Sequence, residues 1–300
     1  MFADLHNHTT ASDGEFTSKK LVLAAKKLGI KALGISDHDT LDGLKKASKA
    51  AKKHGIKLIC GTEVSIQFNK PFFKGTVHLL CYFPKKRLYD KKFIKKFNDI
   101  LTKPRGEKLI KKRIKKINDF FGPNTKKAIL KRKMKYEDIA EFGKNITRRH
   151  FALSLKKNLK IKDKKTINYI ISNKSPAYIP SGIKLKKIYP FIKKEKLLPV
   201  LAHPAAGSFP KKGHYKEVLP PLKTIKKLLP TLLKAGIKGL EVYYPAHTKK
   251  HKKILKSWAD KHNLIVTGGS DCHDKKNRPL GKVYIKKKDF ELFYKHLRSK

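Results

Sequence analysis

The chain has 300 residues, and 74 Lys and Arg stand against 23 Asp and Glu, a formal net charge of +51. No apolar run approaches the ~18 residues of a membrane span and no basic leader precedes one, so neither membrane insertion nor export is expected, and the cytoplasm is the expected compartment. Cys60, Cys81 and Cys272 are too far apart in sequence for a CxxC metal site or a disulfide framework, and the positive field suits phosphorylated substrates or non-specific nucleic-acid association, although a solvated lysine surface has the same composition.

In chain order the first apolar run is FADLHNH. Read as a strand it alternates faces, so His6 and His8 project from one side, about 7 Å apart at most. The turn formers TTASDGEF follow and carry Asp13 back toward them. Six further runs read as strands, KALGIS, KLICGTEVSI, TVHLLCYF, LLPVLAH, IKGLEVYY and NLIVTGGS. Between the early ones lie amphipathic stretches, TSKKLVLAAKKLG and LDGLKKASKAAKKHG, that open on capping residues and close on glycine. Strand then helix, repeated, predicts a parallel α/β architecture, and seven strands suffice for a TIM-like (β/α)7 barrel with its site at the strand C-termini. From Pro84 to Pro180 the pattern changes to helices alone, KKFIKKFNDILTK, GEKLIKKRIKKINDFFG, TKKAILKRK, YEDIAEFG and KKTINYIISN. The expected organisation is a barrel of residues 1–83 and 181–300 with an inserted helical unit, residues 84–180.

Ligand-type residues fall at the expected strand ends. Asp37, His38 and Asp39 close the second run, Glu63 lies in the third, His78 in the fourth, His203 ends the fifth, and Asp271 and His273 follow the last. Of these, His38, Glu63, His78, His203, Asp271 and His273 join His6, His8 and Asp13 as nine candidate metal ligands, which include six of the thirteen histidines. Imidazole mixed with carboxylate is the donor set of zinc, manganese or iron, not of calcium. Such a crowd of charge needs cations to organise it, and two or three divalent ions are expected.

The motifs HNHTTASDG, ISDHDT, GTEVS, VHLLCYF, LAHP and GGSDCHD together resemble the polymerase and histidinol phosphatase (PHP) family of metal-dependent phosphoesterases. TRRHFALSL and INYIISNKSPAYIP resemble the subfamily acting on nucleoside 3′,5′-bisphosphates and on the 5′ ends of short RNAs. The resemblance implies a distorted seven-stranded α/β barrel (the PHP fold) with a helical insertion. It implies a first ion on His6, His8, Glu63 and Asp271, a second on Glu63, His78 and His203, and a third on Asp13, His38 and His273. It also implies that Arg148 and His150 grip a substrate phosphate, although Arg149 stands where that element has proline, and that Glu241 and His247 of GLEVYYPAHT border the substrate. Tyr178 is a candidate to stack on a base, and Asp37 or Asp39 to protonate the leaving oxygen. His54, His214, His251, His262 and His296 lie in basic contexts and read as surface residues.

The function expected from these residues is a phosphohydrolase that uses a metal-activated water on nucleoside bisphosphates or short 5′-phosphorylated RNA. Histidinol phosphate is the alternative substrate, and a catalytically silent nucleic-acid-binding module the alternative class.

Overall fold

The computed structural model describes residues 1–210 and 218–299. All seven expected runs are strands of one sheet: β1 (Ala3–Asp4), β2 (Ala32–Ile35), β3 (Lys57–Lys70), β4 (Phe73–Phe83), β6 (Leu198–Leu201), β7 (Gly239–Tyr243) and β8 (Ile265–Gly268). A two-residue β5 (Ile183–Lys184) adds to the edge of β3. The sheet order is β1-β2-β3-β4-β6-β7-β8. Past β8 the chain returns beside β1, with Leu5 N donating to Gly268 O and Asp271 N to His6 O, which brings the sheet's two edges together into a nearly closed barrel. Gly269 is needed there, because a Cβ on it would meet His6 backbone nitrogen at 2.4 Å.

The sheet departs from the all-parallel expectation at one strand. β4 runs antiparallel to both β3 and β6. Only Pro71 and Phe72 separate β3 from β4, and a two-residue link makes a hairpin, whereas a parallel return needs a crossover of a dozen residues. The reversed direction carries the first half of β4, with His78, to the same rim that the parallel strands reach with their ends.

Helices α1 (Ser18–Lys27) and α2 (Leu44–His54) pack outside β1 to β3 through Leu21, Val22, Ala25, Leu44 and Ala47. Each places apolar residues three and four apart, the spacing of one helix face. The inside of the barrel is filled by Leu5, Ile59, Leu80, Tyr82, Leu198 and Val200, and its floor is closed by Phe290 and Phe293 of the last helix (Lys287–Arg298). Alternation along β4 puts Leu80 and Tyr82 in this interior and Leu79, Cys81 and Phe83 in the outer layer.

The segment between β4 and β5 is helical, as expected. In it α3 (Lys91–Thr102) packs Phe93, Phe97 and Leu101 into the barrel's outer core. The following α4 (Glu107–Phe121), one-turn α5 (Glu137–Ala140), α6 (Arg148–Lys157) and α7 (Lys164–Ile171) share a separate core of Ile110, Ile114, Ile117, Phe121, Phe151, Leu155 and Ile170. TKKAILKRK is not the helix its pattern suggests. Gly122 and Pro123 turn the chain, Asn124 takes a left-handed φ of 68°, and the backbone NH groups of Ile129 and Leu130 both donate to Phe121 O, folding the irregular segment onto the end of α4. Among the described residues no helix is long and apolar enough to cross a membrane.

Candidate metal centre

The nine expected ligands converge at one end of the barrel. Glu63 is the hub. Its Oε1 lies 2.9 Å from both His78 Nδ1 and His203 Nε2, and its Oε2 lies 3.0 Å from His38 Nδ1, 3.2 Å from His8 Nε2 and 3.3 Å from His6 Nε2. Asp271 Oδ1 is 3.1 Å from His8 Nε2 and 3.5 Å from His6 Nε2. The Nε2 atoms of His6 and His8 are 3.1 Å apart, as one-sided projection of that pair requires. His273 Nε2 lies 3.2 Å from Asp13 Oδ1. Three groups of ligand atoms emerge: His6, His8, Glu63 and Asp271; His38, Glu63 and His78; and His8, Asp13, His38 and His273. The first is the set named by resemblance. The others add His38 to the second group and His8 to the third, while His203 reaches the second group through Glu63.

These side chains fit divalent ions. Donors held ~2.1 Å from one ion at tetrahedral or octahedral angles lie about 3.0–3.4 Å from each other, the spacing seen here. Asp13 Oδ1, His38 Nδ1, Glu63 Oε2 and His273 Nε2 are buried and lack hydrogen-bond partners despite these short separations. Buried polar atoms are normally paired, so four such atoms without hydrogen-bond partners, gathered at one end of the barrel, fit donors to a cation. The carboxylates are ready for it. Burial alone would raise Glu63, but His38, His78 and His6 outweigh it and hold the acid well below its usual range. Asp271 is likewise held down against burial by His273, Arg278 and His6, and Asp13 by His273 and His38.

The imidazoles are oriented from behind. His6 Nδ1 faces Glu241 Oε1 at 3.0 Å, which frees Nε2 for the site, and His273 Nδ1 donates to Asp271 O at 2.8 Å with the same result. Glu241 also accepts from His203 N at 2.7 Å. The turns that present the ligands are strained: His203 and Asp271 have φ of 30° and 51°, and Asp39 has 48°. Non-glycine residues hold such angles only where surrounding bonds over-determine them.

The structure corrects several expected roles. Asp37 accepts hydrogen bonds from Thr9 N, Thr9 Oγ1 and Ser12 Oγ at 2.6–2.8 Å, so it shapes the His6–Asp13 loop and does not face the cleft. Asp39 is engaged by Arg105 and by Ser65 N and is equally removed from a proton-donor position. Glu241 sits behind His6, fully buried, and does not border substrate. His247 accepts from Ala205 N and donates to Val242 O inside its own turn, and burial pushes its pKa down to about 3. His150 closes the N-terminus of α6 by accepting from Thr147 N, its ring stacked on Phe142. Tyr178 has its face covered by the Arg148 guanidinium at 5.2 Å. Cys272 packs in the apolar outer core, away from the ligands. His214 lies outside the described residues.

The cleft above the ligands is lined by Asp13, His38, Glu63, His78, His203, Asp271 and His273 on its floor and by Arg105, Arg148, Arg149 and Arg278 on its walls. Of these arginines the sequence motifs pointed only to Arg148. A usable signal was present, since only eight of the 74 basic residues are arginine and four of those eight reach this cleft. In a chain that meets water with lysine, arginine marks sites wanting a planar, forked donor. Tyr244 also lines the cleft and donates to Asp271 Oδ2 at 2.8 Å, beside Arg278 Nη1 at 3.1 Å. That leaves Asp271 Oδ1 facing the histidines.

Comparison with known proteins agrees with this geometry. The PHP domain model matches residues 4–273. The 3′,5′-nucleoside bisphosphate phosphatase of Chromobacterium violaceum is 27% identical over 277 residues, 90% of this chain and 86% of that protein. A 5′-3′ exoribonuclease of Haemophilus influenzae is 48% identical over 62 residues, which are 21% of this chain and 23% of that protein. A solved structure described as a metal-dependent phosphoesterase from Bifidobacterium adolescentis superposes with a TM-score of 0.76 at 25% identity, covering 99% of this chain and 96% of that one.

Proposed function

The chain belongs to the PHP domain family and is a metal-dependent phosphoesterase; from that premise we propose that it removes phosphate from nucleoside 3′,5′-bisphosphates and mononucleotides from the 5′ end of short RNA. One observation carries the reading. The same cleft has a floor of ligand atoms and walls bearing four arginines, so a substrate with two phosphates can leave one over the floor and one against the walls. A 3′,5′-bisphosphate and a 5′-phosphorylated RNA end share that unit, a nucleoside between two phosphates, and one site can take both.

Divalent ions bound by the nine side chains would polarise the phosphoryl oxygens and supply a water of lowered pKa. The chain's own groups do the rest. Glu241 and the Asp271 carbonyl hold His6 and His273 in the tautomer that offers Nε2 inward. Arg148, its Nη1 donating to Asn173 Oδ1 at 2.9 Å, presents its fork from the first turn of α6 to the phosphate that is not cleaved. The arginines stabilise the charge that accumulates on phosphoryl oxygens as the bond to the leaving oxygen breaks. Histidinol phosphate fits poorly, because its cationic amino group would face this arginine wall. A silent binding module has no need of nine converged ligands. Exposed lysines of α4, among them Lys108, Lys112 and Lys116, support non-specific attraction of nucleic acid, which salt would weaken.

The test is phosphate release from adenosine 3′,5′-bisphosphate, beside histidinol phosphate and a short 5′-phosphorylated RNA, with manganese and then with chelator. Chelator-sensitive release from the bisphosphate is expected. Manganese-loaded protein that turns over histidinol phosphate alone, or none of the three, overturns the proposal.

A further inference from the structure

The inserted helices touch the metal centre at one corner. Thr147 Oγ1 donates to Asp13 Oδ2 at 2.8 Å, both groups being buried. Asn145 Nδ2 donates to the backbone carbonyl of His38, and Arg149 Nη2 to Asp274 Oδ2 at 3.1 Å, next to His273. Asp13, His38 and His273 are three members of the same ligand group, and Asp13 belongs to no other. The bond from Thr147 takes up one Asp13 oxygen and leaves the other, Oδ1, buried without a partner and turned toward His273. Thr147 is also the residue that begins α6, and the next two residues are Arg148 and Arg149, both on the cleft wall.

We infer that Thr147 is a positioning residue that couples ion binding at the Asp13–His38–His273 group to the order of the first turn of α6, so that filling this group sets the phosphate-facing arginines. The inference rests on the metal reading of the centre. An ion drawing Asp13 into place fixes the acceptor of the Thr147 hydroxyl, and a fixed Thr147 fixes the helix that starts there. Linkage makes the effect reciprocal: an ordered α6 presents Asp13 better to the ion.

The experiment is manganese titration by calorimetry, with amide hydrogen exchange of residues 146–152 followed in the absence and presence of manganese. In Thr147→Val, which keeps the shape and loses the hydroxyl, one class of site is expected to weaken about tenfold, the usual cost of removing a group that holds a ligand. The gain in exchange protection on adding manganese should disappear with it, and Thr147→Ser should restore both. His150→Ala removes the imidazole that closes the same helix end but leaves the Thr147 hydroxyl on Asp13 in place, and is expected to weaken manganese binding by no more than about threefold, the indirect cost of a looser α6. Wild-type manganese affinity in Thr147→Val, or equal losses in Thr147→Val and His150→Ala, would overturn the coupling. A wild-type protein that binds no manganese would instead overturn the metal reading beneath it.

Discussion

The barrel rim and the inserted helices contribute to one cleft by different means. The rim contributes groups fixed by the sheet: Glu63 by β3, His78 by β4, His203 and Asp271 by turns with left-handed backbone. Strand register fixes Glu63 and His78, and hydrogen bonds from Tyr244 and Arg278 fix Asp271 in its turn. The insertion contributes cations from helices that have a hydrophobic core of their own, joined to the rim by side-chain hydrogen bonds such as Thr147 to Asp13 and Arg149 to Asp274. The centre is built on strands and the turns that follow them, and Arg148 and Arg149 of the wall are carried by a separately packed unit. The difference predicts that damage to the rim abolishes chemistry, while damage to the insertion chiefly changes affinity.

The sharpest way to break this comparison is Asp271→Asn. Its Oδ1 loses the charge that faces His8 and His6, while the amide can still meet Tyr244 and Arg278. Turnover should fall by more than about 100-fold, beyond the usual cost of disturbing a group behind a ligand, with the circular dichroism and thermal melt close to wild type. Full activity would place the chemistry elsewhere. Next in size is Arg148→Ala on the helical side. Removing a charged fork costs ~1.5–3 kcal/mol per substrate contact, so KM for the bisphosphate should rise roughly 10- to 100-fold. The rate constant kcat should move much less, and a simple phosphomonoester without a second phosphate should be nearly unaffected. A kcat loss as large as that of Asp271→Asn would erase the distinction between rim and wall.

Legibility from sequence follows the same division. The seven strands of the main sheet path and the nine ligand-type residues at the rim could be read from local runs, while the two-residue β5 could not; SDHDT and SDCHD are each a few residues long. What lay behind the ligands could not. The resemblance places Glu241 beside substrate, and only the fold shows its carboxylate turned back to His6 and to the His203 backbone NH. Asp37 and Asp39 flank a ligand, yet their partners Thr9, Ser12, Ser65 and Arg105 come from other segments. Arg105 and Arg278 join the cleft through tertiary packing, and neither stands in a periodic pattern. TKKAILKRK misled in the opposite direction, its helical composition overruled by Gly122 and Pro123 and by the pairing of Ile129 and Leu130 with Phe121. Intrinsic preference is a weak signal where a turn just upstream dictates direction.

Glu241→Gln tests the support behind the rim. The neutral amide can no longer hold His6 with a full charge, so manganese affinity should drop about tenfold, read by titration. At saturating manganese KM for the bisphosphate should match wild type, because the residue does not reach the cleft. A raised KM at saturation would return Glu241 to the substrate side.

The smallest effect belongs to the outer face of the insertion, at Asp138. Its carboxylate accepts from Arg132 Nη1 and Nη2, both at 2.7 Å, and from Lys135 N at 2.8 Å, and the Arg132 bonds lower its pKa from the ordinary 3.8. A carboxylate depressed in the folded state adds stability above its unfolded pKa and loses it as pH falls through the folded one. Asp138→Asn should therefore lower Tm by no more than about 2 °C at pH 7, given the weakness of exposed pairs. The gap to wild type should stay level down to pH ~4 and close below it, and manganese affinity should not change. A gap that widens in acid would reverse the sign assigned to Asp138. A loss of manganese affinity would mean that even the far face of the inserted helices is felt at the rim, and that the two regions are one cooperative structure rather than a fixed centre with an adjustable wall.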